Sequence, residues 1–324
     1  MRLLDSQPRL RRLAERFVDR HLPVVVLVSP TYAQIEINNR CNLRCVMCAI
    51  SELTAARPLK NMTAPEFAAI ASQLPALRRV DLQGIAEPLL NPNLEAIVAW
   101  CRAHDLEVGF VTNGLLLEGE RVARVLDARP THIVVSLDST DPEVYAGIRS
   151  GAKVARVLAN VAGLVAERAR RGAAAPHVSL MAIAMRDTVA GLAEVVRTGA
   201  RLGVDGVTIK GLNTAINPAL EELNVSTAVE AIRAAAAESP RLGVTVACEV
   251  DRSRLHCRWP WTAAYITVEG RLTPCCNCPD ARVVDLGDLT ARPFTKLWNA
   301  PAYRAFRRAL AHGVPPVCAT CPDY

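Results

Sequence analysis

Apolar positions between residues 31 and 213 fall into two alternating textures: short, nearly unbroken apolar runs, and longer stretches with an apolar residue every three to four positions. The short runs cover 33–38, 79–84, 107–112, 132–138, 177–183 and 206–210. They are too brief for helices and rich in Val, Ile and Leu, which predicts strands buried on both faces. The helical stretches cover 64–74, 94–104, 118–127, 142–148, 154–171 and 191–202. Successive β/α units predict a parallel sheet with helices outside it. Six units, where a closed barrel has eight, predict an incomplete barrel, so the expected fold class is α/β, a partial (β/α)6 TIM-like barrel. In such sheets ligands gather at the carboxyl ends of the strands. Gln83-Gly84-Ile85, Thr112-Asn113-Gly114 and Ser136-Leu137-Asp138 fall there.

The pattern changes on both flanks. Residues 9–20 are basic, with Leu10, Leu13 and Phe17 at helical spacing, which predicts an N-terminal helix within 1–30. Residues 214–253 are expected to link domains through a helix at 227–237 and a strand at 243–247. From about Arg254 a small α+β domain is expected to run to 324. In it, Tyr265-Ile266-Thr267-Val268, the turn Glu269-Gly270 and Arg271-Leu272-Thr273 read as a hairpin, followed by short helices at 294–298 and 301–311.

Composition adds exclusions. The 324 residues are 51% apolar and 22% charged, which excludes disorder for the bulk of the chain. The longest apolar run, residues 22–28, is interrupted by Pro23 and far short of a bilayer span. An arginine-rich start with Asp5, Glu15 and Asp19 lacks the layout of a secretory or transit signal, so a cytoplasmic location is expected. The net charge is +6, with only four lysines (Lys60, Lys153, Lys210 and Lys296) among the 38 basic residues. No basic block interleaves with aromatics, so neither nucleic acid nor membrane is an expected partner.

Cysteine is the informative residue. Eleven cysteines of uneven spacing do not suit a disulfide framework in a reducing compartment. Nine of them cluster, as Cys41, Cys45 and Cys48, and as Cys257, Cys275, Cys276, Cys278, Cys318 and Cys321; Cys101 and Cys248 lie apart and read as core residues. Cys41-Asn42-Leu43-Arg44-Cys45-Val46-Met47-Cys48 places three thiols after the first strand, one short of a full ligand set. The bare spacing leaves open a zinc site completed elsewhere.

This segment resembles the radical S-adenosylmethionine (SAM) superfamily, whose signature is C-x3-C-x-Φ-C in that place. Gly84-Ile85-Ala86-Glu87-Pro88 resembles the family's G-x-G-E-P loop, with Ala86 in place of the second glycine. Ser136-Leu137-Asp138-Ser139, with Tyr145 and Arg149, is similar to the family's carboxylate- and ribose-binding segment. The resemblance implies a 4Fe–4S cluster on Cys41, Cys45 and Cys48, with SAM held by Gly84, Ala86, Glu87, Ser136, Asp138 and Arg149, and Met47 beside adenine. No glycine pattern marks the fifth strand, Leu180-Met181-Ala182-Ile183-Ala184.

The C-terminal pattern resembles the SPASM/twitch extension of the same superfamily. Gly270-x4-Cys275, Gly287-Asp288-Leu289, Trp298-Asn299 and Cys318-x2-Cys321-Pro322 carry that likeness. It implies one auxiliary 4Fe–4S cluster on Cys257, Cys275, Cys318 and Cys321, in the shorter twitch form because the chain ends at Tyr324. The spacing alone also suits structural zinc.

Two reaction classes follow from the resemblance, both needing an electron donor such as flavodoxin or ferredoxin. The expected one is dehydrogenation of a small sugar or aminocyclitol in natural-product biosynthesis, with the auxiliary cluster taking the second electron. The alternatives are epimerisation, with Cys276 or Cys278 as an exposed hydrogen-donating thiol, and maturation of a ribosomally made peptide. Only about 30 residues precede the first strand, room for one helix and no leader-binding module, which favours the small substrate. Lys210, Arg252 and His256 are candidate general bases. A plain iron–sulfur carrier would need neither a barrel nor an open three-cysteine site.

Overall fold

The computed structural model describes residues 7–48, 50, 57–213, 228–237, 242–249, 257–319 and 321. Helix α1 (Pro8–His21) precedes the first strand, β1 (Tyr32–Ile35), and a short β2 (Arg44–Cys45). There follow α2 (Ala64–Ala71), β3 (Arg79–Asp81), α3 (Leu94–Ala103), β4 (Glu107–Thr112), α4 (Glu120–Ala128) and β5 (His132–Ser136). Then come α5 (Pro142–Ile148), β6 (Arg149–Ser150), α6 (Val154–Arg170), β7 (His177–Ala184), α7 (Leu192–Leu202) and β8 (Gly206–Gly211). The helix starts are written locally. Thr63 and Glu66 form a reciprocal capping box at α2, and Asp141 accepts from Glu143 N and Val144 N at α5.

The sheet is an incomplete barrel, as the β/α alternation predicts, but it is longer than six strands. Its order is β12-β11-β10-β1-β3-β4-β5-β7-β8-β9. Helix α8 (Ala228–Ala237) and β9 (Thr245–Glu249) fall in the expected linker, and β9 pairs parallel with β8. At the other edge, β10 (Ala263–Ile266), β11 (Arg271–Thr273) and β12 (Gly287–Asp288) form an antiparallel meander that the sequence reads as a separate hairpin. Instead β10 pairs parallel with β1, Tyr32 against Ala263 through Ile35 against Ile266. Several strands also end earlier than expected, at Ile35, Asp81 and Ser136, although Glu36, Leu82 and Leu137 each still donate one bond to the neighbouring strand.

Alternation along the strands separates two faces. Ala33, Ile35, Val80, Val108, Ile133, Leu180 and Val207 join the apolar layer under the helices. The opposite, inner face is polar. At its lower end Tyr32 Oη donates to Asp81 Oδ2 at 2.8 Å, and His132 Nε2 lies 2.8 Å from Asp81 Oδ1. Arg79 pairs with the same carboxylate at 3.2 Å. Cys101 is fully buried on α3, as expected, whereas the side chain of Cys248 lies outside the described residues. No helix among the described residues is long and apolar enough to cross a membrane.

The C-terminal segment also clasps residues 22–30. It contains the single turn α9 (Trp259–Thr262), α10 (Phe294–Leu297) and α11 (Pro301–His312). Trp261 Nε1 donates to Pro23 O at 2.8 Å, Trp298 Nε1 to Val28 O at 3.0 Å, and Asn299 exchanges both its amide bonds with Val26. Arg307 on α11 is fully buried, donating to Pro260 O and Trp298 O at 2.8 Å and lying 4.3 Å from the Trp298 ring centroid. Burial lowers its pKa to about 10, with the nearby Tyr303 pulling the other way. Arg307→Met should destabilise the fold by about 3 kcal/mol, since charged hydrogen bonds are each worth roughly 1.5–3 kcal/mol. Anaerobic thermal melting checks this, and an unchanged Tm would mean the buried guanidinium is dispensable.

Candidate functional site

The first cysteine loop leaves β1 and is braced from below. Asn38 Nδ2 donates to Glu87 O at 2.9 Å, and Asn39 exchanges side-chain bonds with Lys60 N and Pro58 O at 2.8 Å. The loop then pairs β2 antiparallel with β6, setting Cys45 opposite Arg149. Cys48 N donates to Cys45 O at 3.0 Å, closing the last turn. Leu43 is buried beneath, while Cys41, Cys45 and Cys48 remain half-exposed on one short segment. Three soft thiols on a braced loop fit a 4Fe–4S cluster that leaves one iron for an outside ligand.

The residues expected around SAM surround this loop, with roles that the sequence does not show. Glu87 is 2% exposed, and its carboxylate accepts from Thr112 Oγ1 at 2.7 Å, Asn113 N at 2.8 Å and Leu89 N at 3.1 Å. Burial raises its pKa, opposed by those donors. Its carboxylate therefore builds the loop floor. Asn113, named in sequence only as part of a strand-end tripeptide, lies beside the cluster: its Nδ2 donates to Asn42 Oδ1 at 2.8 Å and is 4.0 Å from Cys41 Sγ. Gly84 is required by a close approach, because a Cβ there would stand 2.6 Å from Glu36 Cγ. Ala86 is half-buried next to it, and Ser136 is buried at the end of β5.

Asp138 is fully buried, accepting from Ile183 N at 2.9 Å and from Arg149 Nε at 2.6 Å. That pair aims Arg149 so that its Nη1 lies 3.8 Å from Cys45 Sγ. Burial opposes the charge on Arg149, but Asp138 and Cys45 outweigh it and hold the guanidinium protonated above its ordinary range. Burial pushes the Cys45 thiol up to about 11 despite Arg149, so losing its proton depends on a bound metal.

Met47 packs into a small apolar cluster with Ile148, Met185, Leu212, Val144 and Ile183, apart from the main core. Met185 and Leu212, at the ends of β7 and β8, carry no motif and are missed by sequence reasoning. They surround Met47 with apolar side chains. Lys210 is half-buried on β8, in register with Ile183 and Glu249. Arg252 and His256 lie outside the described residues.

The second cysteine group lines one pocket below β10 and β11. Cys257, Cys275, Cys318 and Cys321 are there, joined by Cys278 and walled by Trp259, Pro260, Phe306 and Leu310. Burial raises the thiols, Cys275 well above its ordinary value, Cys278 to about 12 and Cys318 to about 11. Several sulfurs in an apolar wall fit a metal–sulfur group, whose positive charge replaces the missing water. Cys278, expected as an exposed thiol, is only 6% exposed, because its turn folds it back over Cys275. Cys276 does not line the pocket.

Among known families, a model of the radical SAM superfamily matches residues 35–170, and one of an iron–sulfur cluster-binding domain matches residues 257–322. A PqqA peptide cyclase of Streptomyces rochei is 27% identical over 311 residues, spanning 91% of this chain and 82% of the relative. A GTP 3′,8-cyclase of Rhodococcus opacus is 31% identical over 177 residues, 53% of this chain and only 48% of the relative. In three dimensions the chain resembles Streptococcus suis SuiB bound to its precursor peptide SuiA, with a TM-score of 0.71 and 15% identity over 93% of this chain and 71% of SuiB. That likeness is one of fold.

Glu87→Ala leaves buried Asn113 N–H and Leu89 N–H without their acceptor, at about 1–3 kcal/mol each. We expect it to weaken SAM binding at least about tenfold, near 1.4 kcal/mol, while the cluster iron stays. Arg149→Ala should do likewise, and Gly84→Ala should match it by pushing Glu36 aside. Equilibrium SAM binding with iron analysis checks all three, and unchanged affinity would show that these side chains serve the fold alone.

Proposed function

Because the chain belongs to the radical SAM superfamily and carries a C-terminal SPASM-type iron–sulfur domain, we propose that it oxidatively modifies a peptide, joining or desaturating it at a carbon that loses hydrogen. Its cofactors are SAM, a SAM-binding 4Fe–4S cluster and auxiliary iron–sulfur chemistry in the C-terminal domain. When bound, these supply one electron to break the S–C5′ bond of SAM, the resulting radical that abstracts hydrogen, and a nearby acceptor for the electron the substrate gives up.

The observation that carries the peptide reading is the full-length similarity to the PqqA peptide cyclase, which spans 91% of this chain and 82% of that relative. It outweighs the sugar or aminocyclitol dehydrogenation favoured from the sequence, which neither of the two curated relatives named above supports. Gln34, Tyr265 and Thr273 stand side by side across β1, β10 and β11, buried on the face opposite the helices.

In this reading the residues divide the work. Arg149, aimed by Asp138, meets the SAM carboxylate, and the Met47 cluster takes adenine. Glu87 and Asn113 hold the loop that faces Cys41. Lys210, on the inner face, is positioned to take the proton the substrate loses. The barrel keeps water from the radical and fixes which C–H bond it meets.

The test is anaerobic turnover with SAM and a reductant, against a panel of short peptides and a panel of sugars and aminocyclitols. We expect a peptide product about two mass units lighter and transfer of deuterium from labelled peptide into 5′-deoxyadenosine. Turnover confined to the sugar panel would replace the peptide reading with small-molecule oxidation. A product of unchanged mass that gains solvent deuterium, lost in Cys276→Ala, would mark an epimerase.

A further inference from the structure

Asn277 sits in the turn that follows β11 and lines the auxiliary pocket together with Cys257, Cys275, Cys318 and Cys321. Its side-chain amide is held from two sides. Nδ2 donates to Cys321 Sγ at 3.3 Å, and Oδ1 accepts from Asn213 Nδ2 at 2.9 Å, with the Cys276 thiol 4.0 Å from the same oxygen. The backbone N–H of Asn277 is bonded to Cys275 as well, where it works against burial to lower the thiol pKa. One residue thus directs two N–H groups at two of the pocket's cysteines.

The direction of the amide follows from its partners. A metal-bound thiolate accepts hydrogen bonds and has none to give, so the amide turns Nδ2 toward Cys321 and Oδ1 away from it. Asn213 supplies the donor that Oδ1 then needs. It lies two residues beyond the end of β8, and its neighbour Leu212 belongs to the apolar cluster around Met47. β8 and β11 stand near opposite edges of the sheet, so the bond between Asn213 and Asn277 crosses the gap of the incomplete barrel.

We propose that Asn277, aimed by Asn213, is a positioning residue that sets the reduction potential of the auxiliary cluster through its hydrogen bond to the Cys321 sulfur. Taking up an electron adds negative charge to the cluster and its thiolates. An N–H aimed at a ligand sulfur therefore stabilises the reduced form and raises the potential. The cluster becomes a better acceptor for the electron that the substrate gives up. The proposal rests on the pocket holding an iron–sulfur cluster with Cys321 among its ligands and is independent of which substrate enters the barrel.

The experiment compares full-length wild-type protein with Asn277→Leu, Asn213→Leu and the double variant, each reconstituted anaerobically with iron and sulfide. Iron content is measured, and the midpoint potential of the auxiliary cluster is read by redox titration followed by electron paramagnetic resonance. The first cluster serves as the internal reference, and its potential should stay in all three variants. Asn277→Leu should keep about eight irons, two clusters' worth. It should lower the auxiliary potential so that electron uptake is about tenfold less favourable, about 59 mV for one electron. Asn213→Leu should shift it in the same direction by less, because the amide loses its aim and not its donor. The double variant should match Asn277→Leu, since Asn213 acts through Asn277. An auxiliary potential unchanged or raised in Asn277→Leu overturns the proposal, and additive shifts in the double variant overturn the role of Asn213. If Asn277→Leu takes up only the first cluster, Asn213→Leu still decides, because Asn213 does not line the pocket, and an unchanged potential there overturns the proposal. Zinc in the wild-type pocket, or only about four irons, overturns it together with the iron–sulfur reading of the pocket.

Discussion

Strand β1 is the constraint on which both cysteine sites depend. It carries the first cysteine loop at its carboxyl end, and it is hydrogen-bonded on one side to β3 and on the other to β10, the strand that opens the C-terminal meander. A slip of one residue in either pairing would turn Glu36 and Gln34 toward the helices and Ile35 into the barrel. Glu36 locks the register. It is fully buried, accepts from Val268 N at 3.1 Å, pairs with Arg57 at 2.5 Å and fills the space beside Gly84. Arg57 in turn grips Glu269 in the meander turn with two bonds of 2.8 and 2.9 Å. Removing one partner would strand a buried charge, so this is a device for holding geometry more than for adding stability.

The same economy governs the mouth of the barrel. Buried carboxylates usually cost free energy, and here Glu87 and Asp138 offset that cost by satisfying backbone amides of Leu89, Asn113 and Ile183. Each also orients a neighbour that faces the cysteines: Asn113 toward Cys41, Arg149 toward Cys45. The side chains nearest the cluster are thus set from behind, which is what a radical reaction needs, since selectivity comes from position and not from the reactivity of the radical.

How much of this the sequence carries depends on the range of the interaction. The strands and helices of the barrel are legible because apolar periodicity is local, and the three-cysteine loop because its ligands lie within eight residues. The β10–β1 pairing is not legible: both strands are buried and apolar, and nothing in a short apolar run states which edge it will join. Met185 and Leu212 are invisible for the same reason, being ordinary apolar residues that converge with Met47 only when β7 and β8 are in register. Cys278 is seen in sequence but misplaced, because the turn that buries it is a matter of backbone direction.

That turn also sets which cysteines reach the C-terminal pocket. β11 runs down from the mouth, antiparallel to β10, and delivers Cys275 and its neighbours to the lower end of the barrel, near Tyr32 and Tyr265. Reversing the chain there brings Cys275 and Cys278 to the apolar pocket, which Cys276 between them does not line. The pocket thus lies toward the lower end of the barrel, while the first cysteine loop lies at the mouth. In the proposed reaction the first loop would hold the group that removes hydrogen at the mouth, and the pocket would hold one that takes up the electron at the other end.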